Sequence, residues 1–256
     1  MQDKVQEKVI RIETLTQYRQ FDECLAIQDE VWGYEPTDRM AQKVFLLASQ
    51  IGGQVLGAYD GEKMVGYAMS LPGVRNGHSY LHSHHLAVLA EWRNYGVGRR
   101  LKLAQRDDAV ARGFELMEWT FDPLEIKNSH LNFAKLGAIS RRYKPNFYGA
   151  SSSPLHGGLP TDRIVAEWWL NSDRVERILR GEQPIVEVQE RLSVPAEISA
   201  WKSNDTDRPK AAAVQAENGA ALQDAFARGL SVIGYERDAH GNGTFLLGVW
   251  NELYKY

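Results

Sequence analysis

The chain has 256 residues, 43% of them hydrophobic and 25% charged, with a formal net charge of −3 at pH 7. This is the make-up of a globular protein large enough for one domain with a substantial appendage, and its slight acidity gives nothing to draw nucleic acid or another polyanion. The charged first twenty residues lack the apolar stretch of a signal peptide and no apolar run reaches membrane-spanning length, so a cytoplasmic protein without membrane partners is expected.

Taken in order, residues 9–14 read as a strand, and residues 18–32 place Phe21, Leu25, Ile27, Val31 and Trp32 at helical spacing. The single cysteine, Cys24, falls on that helix; it excludes an internal disulfide or a cysteine zinc cluster and is expected to be a small buried hydrophobe. Residues 40–50 read as a second helix, and two apolar runs, 54–59 and 63–71, are divided by Asp60-Gly61, a strong hairpin signal. After a loop at 72–77 come a strand at 80–89, a turn at 91–95, and a helix on which Val97, Leu101, Leu103, Ala104 and Val110 recur. Residues 114–121 form a strand ended by Asp122-Pro123, and residues 128–136 a helix closed by Gly137. Strands are expected at 139–143 and 164–170, with a long Pro, Ser and Gly-rich loop at 144–162 between them. The composition then restarts, with a short helix at 172–180, a strand at 185–194, an alanine-rich helix at 210–228, and strands at 230–237 and 244–250. A helix before two strands with a polar turn echoes residues 40–71, which leaves two readings: a partial duplication of the first half, or a generic α/β appendage.

The stretch 80–113 carries the chemistry. A strand that leads through glycines into a helix aims the free N–H groups of the helix start at whatever lies above the turn, which favours an anion. Gly96 and Gly98 let a ligand approach the main chain, and Arg93, Arg99 and Arg100 add positive charge at the same point. A pyrophosphate is the expected ligand. The nicotinamide fingerprint G-x-G-x-x-G fits badly, because its third glycine would fall on Leu101 and its first stands seven residues beyond Leu89.

What the residues do match is R-x-x-G-x-G, as Arg93-Asn94-Tyr95-Gly96-Val97-Gly98, preceded by Leu86-Ala87-Val88. This resembles the coenzyme A signature of the GNAT superfamily of N-acetyltransferases. The resemblance implies an α/β (α+β) fold with a mixed, mainly antiparallel central sheet over residues 8–171, followed by a smaller α/β extension at 172–256. It implies acetyl-CoA or another acyl-CoA as cosubstrate, with Leu86, Ala87 and Val88 along the pantetheine arm and Asn128 contacting the coenzyme. Around the pyrophosphate it places Arg93, Asn94, Tyr95, Gly96, Val97, Gly98 and Arg99.

Acyl transfer to an amine needs a base, because exposing the lone pair of an alkyl ammonium at neutral pH costs roughly 4 kcal/mol. His82 and His84, two apart on one face of the strand, can accept that proton, and this H-x-H also resembles the paired histidines of the arylalkylamine branch of the superfamily. His85 is expected on the opposite face. No metal is expected at the pair, since Val88 and Leu89 stand where a third ligand would be needed and Glu91 comes too late. The slot that the superfamily often gives to a tyrosine acid holds Phe133, which leaves Tyr143 and Tyr148 as candidate acids, or a thiolate that leaves unaided. Arg141, Arg142 and Arg163 concentrate guanidinium on the two strands that line the substrate side in that fold, and arginine forks suit carboxylates. The expected function is transfer of an acetyl or succinyl group from coenzyme A to the amine of a small, carboxylate-bearing metabolite. The alternative is a catalytically silent GNAT-fold module that keeps coenzyme A, and a homodimer is left open.

Overall fold

Turn chemistry decides where the strands lie. In the computed structural model, which describes residues 9–250, β3 (Lys63–Arg75) and β4 (His78–Val88) are joined by Asn76-Gly77, with φ of 49° and 81°. Two consecutive residues at positive φ suit the right-handed twist of the flanking strands, and Asn-Gly supplies them at least cost. The loop expected at 72–77 is therefore strand except at this dipeptide. Pro72 suggests a break because it lacks a donor, yet a strand can pass a proline where that N–H is not needed.

The chain divides into two compact units, one running to Gly73 and resuming at Leu81–Gly113, the other made of Val74–Tyr80 and everything from Phe114 onward. In the first unit β1 (Ile10–Thr14), β2 (Gln54–Asp60), β3 and β4 are neighbours in that order, and the β1–β2 and β2–β3 pairs are antiparallel. The helices are α1 (Tyr18–Trp32), α2 (Gln42–Gln50) and α3 (Val97–Ala111). Phe21 of α1 stacks on Phe45 of α2 at 6.2 Å, Tyr67 of β3 meets Phe45 edge-on at 5.6 Å, and Leu101 of α3 joins the same core. Each such side chain contributes about 1.5–3 kcal/mol by leaving water. Cys24 is buried there, as its helical position predicts.

Between α3 and the sheet the core turns polar. Ser70 Oγ donates to Gln54 Oε1 at 2.9 Å, Ser83 Oγ donates to Gln105 Oε1 at 2.9 Å, and Lys102 Nζ donates to Ser83 Oγ at 2.7 Å. Lys102 is 1% exposed, and burial holds its amine well below the usual lysine range. The network ties α3 to the middle of β4 through hydrogen bonds rather than through shape alone.

The second unit holds β5 (Leu116–Phe121), β7 (Arg163–Trp169) and β6 (Tyr143–Lys144) in that order, both pairs antiparallel. The strand pairing thus gives the expected mixed α/β architecture with mainly antiparallel strands. α4 (Ile126–Ser129) passes into a π-helical turn at His130–Lys135, where a single helix was expected from the spacing. The strand expected at 139–143 shortens to two residues. Ile139 bridges Glu167 whereas Ser140 bridges Val232, so successive residues bond different strands and no ladder forms before Tyr143.

α5 (Asp173–Leu179) starts on Ser172, whose Oγ accepts from the N–H of Val175. Beyond it lie β8 (Glu190–Val194), α6 (Ile198–Ser203), α7 (Arg208–Ala227), β9 (Leu230–Arg237) and β10 (Gly243–Val249). α6 has no counterpart among the expected elements, and the strand expected from residue 185 begins only at Glu190. These strands form a separate sheet ordered β8-β10-β9. The likeness to residues 40–71 covers the helix and its antiparallel hairpin but not the strand that joins each hairpin: β1 pairs with the first strand of its hairpin, β2, whereas β8 pairs with the second strand, β10.

The later residues are nonetheless built into the second unit. Phe245 of β10 is fully buried, edge-on to Phe133 of the π-helical turn at 6.0 Å and to Tyr235 at 4.9 Å. Phe245→Ala should therefore lower unfolding free energy by about 3–5 kcal/mol in a urea melt; a loss under 1 kcal/mol would mean that this sheet is not part of the unit's core.

Candidate active site

β4 ends at Val88, a short 3-10 turn at Ala90–Trp92 buries Trp92, and the chain returns through Asn94 (φ 67°) and Gly96 (φ 76°) into α3. Gly96 is the residue before the first helical turn. Having no side chain, it caps none of the N–H groups of Val97, Gly98 and Arg99, and the first backbone bond runs from Arg100 N to Gly96 O at 3.0 Å. No acidic residue stands in that first turn, but Arg99 and Arg100 do. Positive charge at a helix N-terminus opposes the macrodipole by about 0.3–1 kcal/mol, so the sequence gives up stability to make this end attractive to an anion.

The neighbouring residues keep that end accessible. Val97 is buried in the core, Arg93 Nε donates to Val88 O at 3.1 Å and ties the turn to the strand, and Asn94 and Tyr95 are exposed. A Cβ added at Gly98 would stand 3.8 Å from Leu86 and 3.9 Å from Val88, so glycine leaves the space before those strand residues bare. Ala87, on the other face, is buried. Uncapped N–H groups, flanking guanidinium and an unfilled strand surface are what a linked diphosphate with a long arm requires.

Upstream on β4, His82 and His84 lie on the less buried face, their ring centroids 6.1 Å apart, while Ser83 is buried. His85 follows the alternation of the strand, buried like Ser83 and Ala87 where His84 is exposed, although the His84 and His85 rings come within 4.7 Å with planes 14° apart. His85 is buried against Trp32 at 4.7 Å, with Nδ1 2.9 Å from the Tyr67 hydroxyl. Burial lowers the pKa of His84, and burial, with His84 alongside, holds His85 well below the usual histidine range. No group of three or more potential metal-ligating side chains lies together among the described residues.

In the second unit, Asn128 is exposed on α4 and is not its N-cap, that place being held by Glu125. Phe133 is buried between Phe121 at 5.7 Å and Phe245. The Tyr143 hydroxyl donates to Asp162 Oδ2, and burial, reinforced by that carboxylate, raises the phenol above its usual range. Tyr148 is exposed, its hydroxyl 3.0 Å from Thr120 Oγ1 and its ring 5.2 Å from the Arg163 guanidinium.

The arginines chosen for a substrate carboxylate already have partners. Arg141 donates through Nε and Nη2 to Glu167 Oε2, Arg142 bridges Glu167 and Glu118, and Arg163 donates to the backbone oxygen of Asp162 at 2.8 Å. Sequence reasoning missed Glu118, Glu167 and Arg75, the third guanidinium on that cluster. A signal existed: a lone carboxylate among the apolar residues of each strand, Glu118 after Leu116-Met117 and Glu167 after Ile164-Val165-Ala166, asks for a counter-charge.

Residues 18–137 match the profile of the Acetyltransferase (GNAT) family. No curated protein matches the chain in sequence. Among solved structures, the chain resembles an acetyltransferase of the GNAT family from Desulfovibrio desulfuricans, with TM-score 0.51 and 13% identity over 63% of this chain and 99% of that one. It also resembles the ribosomal-protein-S18-alanine N-acetyltransferase of Escherichia coli, with TM-score 0.52 and 15% identity over 64% and 96%. An acetyltransferase from Salmonella typhimurium, solved with its cofactor acetyl-CoA, gives TM-score 0.52 and 15% identity over 64% and 95%. At such identities the likeness speaks for the fold.

His85 sets a pH dependence. Its folded pKa lies well below 6.5, so below about 6.5 the unfolded chain takes up a proton that the folded chain refuses. Stability should fall as the pH drops from about 6.5 toward the folded value, by up to about 1.4 kcal/mol per pH unit from this residue. Urea midpoints measured across that range should decline, and less steeply in His85→Asn.

Proposed function

Residues 18–137 of this chain are a GNAT-family acetyltransferase domain, and from that premise we propose that the protein moves an acetyl or succinyl group from coenzyme A to the amine of a small metabolite. The observation that carries this reading is the uncapped start of α3, set between Arg93 and Arg99 and beside a strand surface that Gly98 keeps bare. Residues 8–171 are the catalytic domain in this reading, with 172–256 as its extension and the cytoplasm as its location.

Each residue then has a task. The N–H groups of Val97, Gly98 and Arg99, with the Arg93 and Arg99 side chains, hold the linked phosphates, and the main chain of Leu86, Ala87 and Val88 aligns the arm. Bound acyl-CoA supplies an activated thioester carbonyl. His84, kept neutral at pH 7 by its lowered pKa, takes the proton of the acceptor's ammonium, with His82 as its neighbour on the same face. The freed lone pair forms the C–N bond as the C–S bond breaks, and the sulfur departs as a thiolate, whose pKa of about 8.5 permits it to leave without an acid. The nitrogen then gives up its second proton to that thiolate, directly or through water, to leave a neutral amide and a free thiol. Of the two candidate acids, Tyr148 is an exposed residue whose hydroxyl lies 3.0 Å from Thr120 Oγ1, whereas the Tyr143 proton is engaged by Asp162.

A second reading is favoured by one observation. Phe133, sealed between Phe121 and Phe245, cannot donate a proton, which suits a module that keeps coenzyme A without turning it over.

A thiol-release assay with acetyl-CoA and succinyl-CoA over a panel of amines separates the two. Turnover is expected, with kcat lower by about 10²–10⁴-fold in His84→Ala and an acid limb whose midpoint lies below 6.5. Arg99→Ala should raise KM for the coenzyme. Calorimetric binding without turnover on any amine would install the module instead, and absence of binding would remove both readings.

A further inference from the structure

One face of the β5–β7 pair carries a charge imbalance. Glu118 and Glu167 stand directly opposite each other in the register, 5% and 3% exposed. Like charges across a ladder repel. They are held by guanidinium groups: Arg75 reaches Glu118 at 2.7 Å, Arg142 reaches Glu118 at 2.5 Å and Glu167 at 3.2 Å, and Arg141 reaches Glu167 at 2.5 Å. Burial alone would raise the Glu118 pKa, but Arg142 and Arg75 outweigh it and hold the carboxyl below its usual range.

The balance does not close. Among the described residues three guanidinium groups meet two carboxylates, and neither carboxylate nor guanidinium has another ionic partner there. One positive charge is left over. Donors are left over too: Arg75 commits only Nη2 and lies 4.7 Å over the Tyr80 ring, while Arg141 and Arg142 commit Nε and Nη2. Among the described residues the Nη1 groups of all three are unspent. The arginine side chains are 27%, 39% and 32% exposed and the glutamates 7% and 3%, so solvent meets the positive groups and not the negative ones.

We propose that Arg75, Arg141 and Arg142 form a carboxylate-binding site, in which the surplus charge and the unspent Nη1 groups receive a monoanion while Glu118 and Glu167 fix the forks. A single surplus charge matches a carboxylate, whereas a phosphate dianion would bring one negative charge too many into a half-buried cluster. That this carboxylate belongs to the acyl acceptor rests on the acyltransferase reading; the site itself does not.

The test titrates the full chain, without coenzyme A, with N-acetylglycine, inorganic phosphate and glycinamide, and follows the arginine side-chain ¹⁵N resonances. N-acetylglycine should bind saturably, phosphate more weakly, and glycinamide not at all. Arg75→Gln brings the cluster to parity and should weaken N-acetylglycine by about tenfold or more; Arg141→Gln is the second variant should the first melt early. Glu118→Gln raises the surplus to two and should turn the preference toward phosphate. No saturable binding, equal binding by Arg75→Gln, or a wild-type preference for phosphate each overturns the site. In the thiol-release assay, turnover with KM values indifferent to an acceptor carboxylate would remove the site from the acceptor and leave acyl transfer standing.

Discussion

The left-handed conformation at Gly96 is the constraint from which the candidate site follows. A strand that must stop and give way to a helix within a few residues needs the chain to turn sharply, and here Asn94 and Gly96 both take positive φ to do so. Glycine accepts that conformation without strain but brings no oxygen to cap the helix, where a serine or aspartate would contribute about 1 kcal/mol. Arg99 and Arg100 then add charge of the wrong sign for the helix dipole. Stability withheld from the free protein in this way is returned when an anion binds, so the weak point of the fold and the strength of the site are one feature.

What could be read from the sequence was local. The Tyr18–Trp32 helix keeps the bounds its periodicity predicts, and the Arg93 to Gly98 motif sits between a strand and a helix as its spacing requires. Both depend on residues within a turn or two of each other. The expected loop at 72–77 yielded to the Asn76-Gly77 signal, which is equally local but was hidden behind Pro72. The packing of His85 against Trp32 and Tyr67, with His84 stacked beside it, depends on residues far apart in the chain that no local pattern brings together. The same holds for the arginines: Arg75, Glu118, Arg142 and Glu167 are far apart in the chain and meet only because a hairpin tip and two strands share a unit.

In the later residues, hydrophobic pattern and strand pairing carry different information. A helix followed by two strands at 210–250 looks like the helix and two strands at 40–71, and both hairpins even carry an irregularity in register. Hydrophobic pattern fixes the period of an element but says nothing of which edge its neighbour takes. The choice of β10 by β8 leaves β9 free to run beside the π-helical turn and to meet Ser140. Lys202 of α6 likewise reaches Asp122 and Glu125, both at 2.7 Å, at the end of β5. These contacts make the segment a structural partner of β5–β7–β6.

Lys102 carries a consequence of another kind. Its amine is displaced toward the uncharged form, which is the nucleophilic form of a lysine. Near-complete enclosure is what prevents that amine from becoming an acceptor itself. A reagent can reach this amine only where α3 parts from the sheet, so accessibility at position 102 is a measure of how tightly that helix is held.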